Sequence, residues 1–383
     1  MQITAVETFP VPPRWLFVKV STDEGIDGWG EASLEGNAEA VRAAVAAATP
    51  RLLGADPLRI EDHWQRLTKG GFYRGGPVLA SAVSGLDQAL WDIAGRAHGV
   101  PVHELLGGPV RDRVRVYGWI GGDRPADVAA DARAQREAGL TAVKMNASAQ
   151  LPALPTLADS AEVVERARQV REALGDAGDF AIDFHGRVAA PAAGRLIRRL
   201  EDLHPLFVEE PVVPEHNHTN LRRLVESTPT PVATGERLYS RAEFLPVLEA
   251  GVRVVQPDVS HAGGISEVRR IAVLAETFGA VLAPHCPLGP LALAACLQVD
   301  FATPNFLIQE QSLGIHYHKG DAELLDYLLE PGVLRFDEGG VVRPTGPGLG
   351  VEVDESAVRR AAARGHAWRT PIWNHADGSF AEW

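Results

Sequence analysis

The chain has little cysteine, little lysine and a deficit of positive charge. Only two of its 383 residues are cysteines, Cys286 and Cys296. That excludes a disulfide framework and a thiolate zinc site, and it fits a reducing compartment. Lys and Arg number 37 against 50 Asp and Glu, a formal net charge of −13. A chain of that sign lacks the basic footprint that nucleic acid or an anionic membrane requires. No apolar run approaches the roughly 18–20 residues of a membrane-spanning helix. The opening residues, Met1-Gln2-Ile3-Thr4-Ala5-Val6-Glu7, place no basic stretch before an apolar one, so no signal peptide is expected and a cytoplasmic location is. Lysine is scarce in a useful way: Lys19, Lys69, Lys144 and Lys319 are the only four among the 37 basic residues. Arginine serves as the surface cation, so a lysine inside an apolar strand calls for another explanation.

What is present is an ordinary folded composition, 45% hydrophobic and 23% charged. Residues 1–112 read as a small α+β unit. Strand patterns cover 3–11, 16–21 and 28–32, and helical periods cover 37–48, 57–68 and 78–97, the last with an apolar stripe of Val83, Leu86, Leu90 and Ile93. The Gly-rich run 69–77, which includes Phe72, Tyr73 and Arg74, reads as a mobile loop. From about residue 113 to 315 the pattern becomes strand, loop, helix, repeated. Eight apolar strand candidates occur at 114–119, 142–146, 180–185, 206–209, 232–236, 252–258, 280–285 and 306–310. Repeated βα units with buried strands mean a parallel sheet, and eight of them suggest a closed barrel with the first helix shortened or replaced. Residues 316–383 fall outside the repeat and are expected to return to the N-terminal unit.

The chemistry lies at the strand ends. Asp183, Glu209, Glu236, Asp258, His285 and Glu310 close successive strands, spaced by 26, 27, 22, 27 and 25 residues. A barrel gathers its C-terminal strand ends on one face, where active sites form. An acid after a strand can simply N-cap the next helix, but six polar residues in consecutive units exceed what capping explains. Three carboxylates on neighbouring strands, Asp183, Glu209 and Glu236, repel one another unless a cation neutralises them. All-oxygen ligation suits a hard ion, Mg²⁺ above all. Glu209 is chosen over Glu210 from strand alternation and the following Pro211. His285 and Asp258 on adjacent strand ends form a candidate dyad in which the carboxylate fixes the imidazole tautomer and strengthens it as a base. His185 points the same way as Asp183 by period-two alternation, as a further ligand, a cap or a catalytic group. Lys144 and Asn146, again two apart, are candidates to face a substrate carboxylate. His316 and His318 are candidates for the rim of the pocket.

These strand-end residues, with Asp183-Phe184-His185-Gly186-Arg187, Ser260-His261-Ala262-Gly263-Gly264, Ala283-Pro284-His285-Cys286-Pro287 and Gln309-Glu310-Gln311-Ser312, resemble the mandelate racemase-like branch of the enolase superfamily over essentially the whole chain. The resemblance implies an α/β fold: a modified TIM barrel, (β/α)7β, under an α+β N-terminal capping domain. It implies Mg²⁺ on Asp183, Glu209 and Glu236. It also implies His285, assisted by Asp258, as the base at C2 of a sugar acid, His185 as the acid for the departing C3 hydroxyl, and Glu310 at the enolate oxygen. The expected activity is β-elimination of water, with D-galactonate as substrate, in sugar-acid catabolism. Another aldonate stereoisomer, for which the loops at Arg14–Trp15 and Phe72–Arg74 would decide, is the alternative. A racemase is disfavoured because Asn146 cannot take a proton, and a non-catalytic sugar-acid-binding protein because binding alone needs no base. The partners expected are the small sugar acid and further copies of the chain.

Overall fold

A computed structural model describes residues 1–121, 125–148, 151–213, 218–312, 325–365, 368–375 and 377–381. The N-terminal unit is an antiparallel sheet of β1 (Ile3–Val11), β2 (Trp15–Thr22) and β3 (Gly28–Glu31), ordered β1-β2-β3. Three helices follow: α1 (Ala38–Ala48), α2 (Ile60–Lys69) and α3 (Pro77–His98). Leu86, Leu90 and Ile93 of the α3 stripe are buried in one cluster with Leu16, Val18 and Val20 of the sheet, which are fully covered. Each such side chain contributes about 1.5–3 kcal/mol over leaving it exposed. Gly28 and Gly30 make this approach possible. A Cβ on Gly28 would lie 2.1 Å from the Ala89 carbonyl oxygen, and one on Gly30 2.2 Å from that of Gly85.

The second unit is a ring of eight parallel strands: β4 (Arg113–Ile120), β5 (Ala142–Asn146), β6 (Asp179–Asp183), β7 (Val208–Glu209), β8 (Val232–Thr234), β9 (Val254–Val255), β10 (Val281–Leu282) and β11 (Gln309–Gln311). They are hydrogen-bonded in sequence order, and β11 returns to β4. The last gap closes through Leu282, whose N–H donates to the Asn305 carbonyl (2.8 Å) and whose carbonyl accepts from Leu307 N–H (2.7 Å). A layer of Tyr117, Ala142, Ala181, Phe207, Ala233, Val254, Ala283 and Ile308 fills the interior, so the barrel is a packed core and not a pore.

Among the described residues, seven helices alternate with the eight strands, at Pro125–Glu137, Leu157–Leu174, Ala190–Leu200, His218–Glu226, Arg241–Glu249, Gly264–Thr277 and Pro290–Ala302. The expected shortening of the first helix is therefore corrected: Pro125–Glu137 occupies the first crossover at ordinary length. The irregularity is at the other end of the repeat. After β11 the next described strand, β12 (Gly340–Val342), runs antiparallel to β4. Several strands are also shorter than their apolar runs suggest, because β8, β9 and β10 stop before Glu236, Asp258 and His285. Those three residues sit on the loops just beyond the ladder.

Beyond β12, the helix Glu355–Ala363 reaches the N-terminal sheet. Glu355 pairs with Lys19 at 2.9 Å and Arg359 with Glu7 at 3.0 Å. No helix among the described residues is long and apolar enough to cross a membrane.

Candidate active site at the barrel mouth

The C-terminal ends of the strands converge on a polar, mostly buried cluster. On β5, Lys144 is 2% exposed, and its ammonium donates to Glu209 Oε1 at 2.7 Å and to Glu310 Oε1 at 2.9 Å. Burial works against its charge, but Glu209 and Glu310 outweigh that and hold its pKa well above the ordinary lysine value. A salt bridge between two acids from β7 and β11 is what this scarce lysine supplies. Asn146 lies beside Asp183 in the β5–β6 register, and its buried Oδ1 has no hydrogen-bond partner among the described residues.

Asp183 ends β6. Its Oδ1 accepts the N–H of His185 at 2.7 Å, and its Oδ2 lies 2.8 Å from His185 Nε2. His185 itself has φ +51°, in the left-handed region that non-glycine residues seldom occupy. The bond to Asp183 and one from the Arg237 guanidinium to the His185 carbonyl (3.0 Å) hold it there. Arg187 donates to His185 Nδ1 at 2.9 Å. Arg187 follows His185 at the same two-residue step that relates His185 to Asp183, and that spacing is the signal in the sequence for its place here.

Glu209 and Glu210 part company. Glu209 turns to Lys144 and leaves Oε2 buried with no hydrogen-bond partner among the described residues. Glu210 takes φ +41°, which breaks strand alternation, and its Oε1 accepts from Thr234 Oγ1 and from Gly235 N–H. Burial and the nearby Glu236 raise its carboxyl to about 8. Burial also pushes Glu209 well above the usual carboxylate range, and Asp183, Glu310 and Glu236 add to the push. Asp183 and Glu236 are held below that range in spite of burial, by His185 and His285 respectively.

Across the mouth, His285 Nδ1 lies 2.8 Å from Asp258 Oδ2, and its Nε2 faces Glu236 Oε2 at 3.5 Å. Burial disfavours the imidazolium, but Glu236, Glu310 and Asp258 prevail and raise the pKa well above that of a free histidine. A second imidazole shares Asp258: His261 Nδ1 is 3.5 Å from Oδ2, while its Nε2 bonds the Ser33 carbonyl of the N-terminal unit at 2.8 Å. Glu310 completes the ring, with Oε2 accepting the Cys286 N–H at 3.0 Å. The structure thus brings together Lys144, Asp183, His185, Glu209, Glu236, Asp258, His285 and Glu310. His316 and His318 lie outside the described residues.

Among the described residues, two groups have the spacing of metal ligands, with candidate ligand atoms all within 4.8 Å of one another: Asp183, His185 and Glu236, and Asp258, His261 and His285. Glu209 stands beside the first group, its free Oε2 buried among the same acids. Crowded carboxylate oxygens with an unpartnered lone pair fit a hard divalent cation, which would relieve both the repulsion and the lost hydrogen bonds. The residues present are therefore suited to hold one.

The N-terminal unit fixes this mouth from above. Glu31 is fully buried and accepts from Gly289 N–H (2.8 Å), Ala292 N–H (3.0 Å) and Ser33 Oγ (2.7 Å). It so caps the helix that follows the His285 loop. Gln88 on α3 donates to the Val259 carbonyl at 3.2 Å, next to Asp258.

Comparison with known proteins agrees with this architecture. Residues 3–107 match the mandelate racemase / muconate lactonizing enzyme N-terminal domain, and residues 127–357 match the enolase C-terminal domain-like family. D-galactonate dehydratases from Variovorax paradoxus (strain S110) and Ralstonia pickettii (strain 12J) are 54% and 52% identical over the full length of both chains. An enolase from Agrobacterium radiobacter, crystallised with Na and L-malate, superposes with a TM-score of 0.91 at 34% identity, covering all of both chains. A mandelate racemase/muconate lactonizing enzyme from Jannaschia sp. CCS1 does so at 0.88 and 32%, covering 97% of this chain and all of that one. This chain belongs to the enolase superfamily, in its mandelate racemase/muconate lactonizing enzyme branch.

Proposed function

We propose that the protein is a hydro-lyase that converts D-galactonate to 2-dehydro-3-deoxy-D-galactonate, with Mg²⁺ held by Asp183, Glu209 and Glu236. The observation that carries the reading is the His285–Asp258 pair, 2.8 Å apart, facing an acidic group across the mouth. Full-length identity to D-galactonate dehydratases supports the choice of substrate. When bound, the dication supplies Lewis-acid stabilisation of charge developing next to a carboxylate, worth several kcal/mol.

The chain's own residues do the rest. Asp258 accepts from His285 Nδ1–H, which leaves Nε2 as the base for the C2 proton. The electrons of the C2–H bond pass to the carboxylate as an enolate, whose oxygen Glu310 is placed to hydrogen-bond. His185 gives a proton to the C3 hydroxyl as the C3–O bond breaks, so water leaves and an enol remains. The enol takes up a proton at C3 and becomes the 2-keto acid. The proton gained by His285 and the one given by His185 balance over the cycle. Lys144 keeps Glu209 and Glu310 in place by ion pairing, and Asn146 adds an amide that can orient substrate but cannot reprotonate C2 from the other face. Elimination is favoured over racemisation for that reason.

The test is incubation with Mg²⁺ and a panel of stereoisomeric aldonates, followed by assay of 2-keto-3-deoxy products. D-galactonate should react fastest. If it alone were inert while another aldonate turned over, the substrate assignment would fail and the chemistry would stand.

A further inference from the structure

Two tryptophans from the end of the chain lie on two arginines, one close to the His285 loop and one on His185. Trp368 has the Arg14 guanidinium 5.2 Å from its ring centroid. Arg14 in turn donates to the Pro287 carbonyl at 3.3 Å, two residues past His285. Trp373 has the Arg187 guanidinium at 5.1 Å. Arg187, only 6% exposed, donates to His185 Nδ1 at 2.9 Å and to the Ser148 carbonyl on the loop after β5. Between the two tryptophans, Thr370 packs onto the N-terminal unit so closely that a Cβ on Gly36, at φ +74°, would lie 2.2 Å from Thr370 Oγ1. The segment Trp368–His375 therefore runs from the His285 side of the mouth to the His185 side.

We propose that Trp373 and Arg187 form a positioning pair for His185, through which the C-terminal segment aligns the acid half of the site. The physical argument is directional. The Arg187 guanidinium meets the ring at Nδ1, which leaves Nε2, the nitrogen turned toward Asp183 and the site, to face the leaving hydroxyl. Asp183 and Arg237 hold the left-handed backbone of His185, and Arg187 fixes the ring that it carries. Arg187 can hold that pose only if its own flat group is held, and Trp373 does so by stacking, at a distance where cation–π attraction operates. Lysine could not replace the planar fork that reaches His185 and Ser148 together.

This inference rests on the dehydratase reading, and its test separates the two. The variants are Trp373→Ala, Trp373→Phe, Arg187→Lys and Trp368→Ala, assayed with Mg²⁺ and D-galactonate in D₂O for C2 exchange and for 2-keto-3-deoxy product. Trp373→Ala and Arg187→Lys should lower kcat for dehydration about tenfold, since small misplacements of a reacting group are costly. C2 exchange and KM should stay within about two- to threefold of wild type. Trp373→Phe, which keeps a ring under the guanidinium, should recover most of the loss. Trp368→Ala should not split dehydration from exchange.

A readout independent of turnover uses ¹⁵N-histidine-labelled protein without substrate. The His185 ring nitrogen resonances should shift in Trp373→Ala but not in Trp368→Ala. Equal loss of exchange and dehydration in Trp373→Ala, unchanged kcat, or an unmoved His185 resonance would overturn the pairing. Wild-type protein inert toward D-galactonate would instead refute the substrate, and the resonance would still decide the pairing.

Discussion

At the scale of single residues, the site is a set of charges that are tolerable only together. Lys144 shows this most clearly. It is buried between Glu209 and Glu310, and removing it strands two buried carboxylates. Breaking such a pair costs about 3–5 kcal/mol, so Lys144→Met should lower the melting temperature of the metal-free protein by several degrees, with Mg²⁺ restoring part of the loss. The two histidines should separate by chemistry. His285→Asn should abolish exchange of the C2 proton with solvent, and retained exchange would require another base. His185→Asn should slow dehydration far more than exchange, measured by NMR in D₂O. Equal loss in both would remove His185 as the acid for the leaving group.

At the scale of elements, the long helix α3 is the seam between the two units, and its polar residues are buried there. Asp87 accepts from Ser266 N–H at 3.0 Å and Ser266 Oγ at 2.6 Å, at the start of the helix Gly264–Thr277. Burial raises its carboxyl to about 7. An acid whose pKa is raised in the folded state binds its proton more tightly there than in the unfolded chain. Its stabilisation is complete below the unfolded value near 4 and is lost as pH climbs to about 7. The shift of about three pH units corresponds to roughly 4 kcal/mol. Urea midpoints should accordingly fall between pH 4 and pH 8, and Asp87→Asn should flatten that dependence. Part of the slope should remain in the variant, because Glu31 is raised to about 7 by burial in the same way. An Asp87→Asn profile parallel to wild type would show that Asp87 stays ionised.

At the scale of the whole molecule, the acids of the mouth make the folded protein a metal receptor before it is a catalyst. A cation that binds only the native state stabilises it by about 2.7 kcal/mol at one hundred times its dissociation constant. Mg²⁺ should therefore raise the melting temperature by a few degrees, chelation should reverse the gain, and Glu236→Gln should abolish most of it. The N-terminal unit contributes to the same economy of charge. Glu31, Ser33 and Gln88 grip the loops that carry Asp258 and His285, so the base is aligned from outside the barrel.

The sequence by itself determined the eight-fold βα repeat, the helical stripe of α3 and the periodic polar residues at the strand ends. Each of these is a local pattern, either an alternation along a few residues or a spacing of one βα unit. It could also single out Lys144, because lysine is otherwise nearly absent. Only the tertiary structure decided which partner each side chain meets. Lys144 bonds two acids, Glu210 turns from the mouth on a left-handed backbone, and Arg187 reaches His185 under a tryptophan almost two hundred residues away. The location of the irregular end of the barrel was also a tertiary matter, since a first helix of ordinary length and an antiparallel β12 beside β4 leave no local signature. Contacts between segments distant in the chain depend on how closed strands and a returning C-terminus pack, and no window of sequence contains both sides of such a contact.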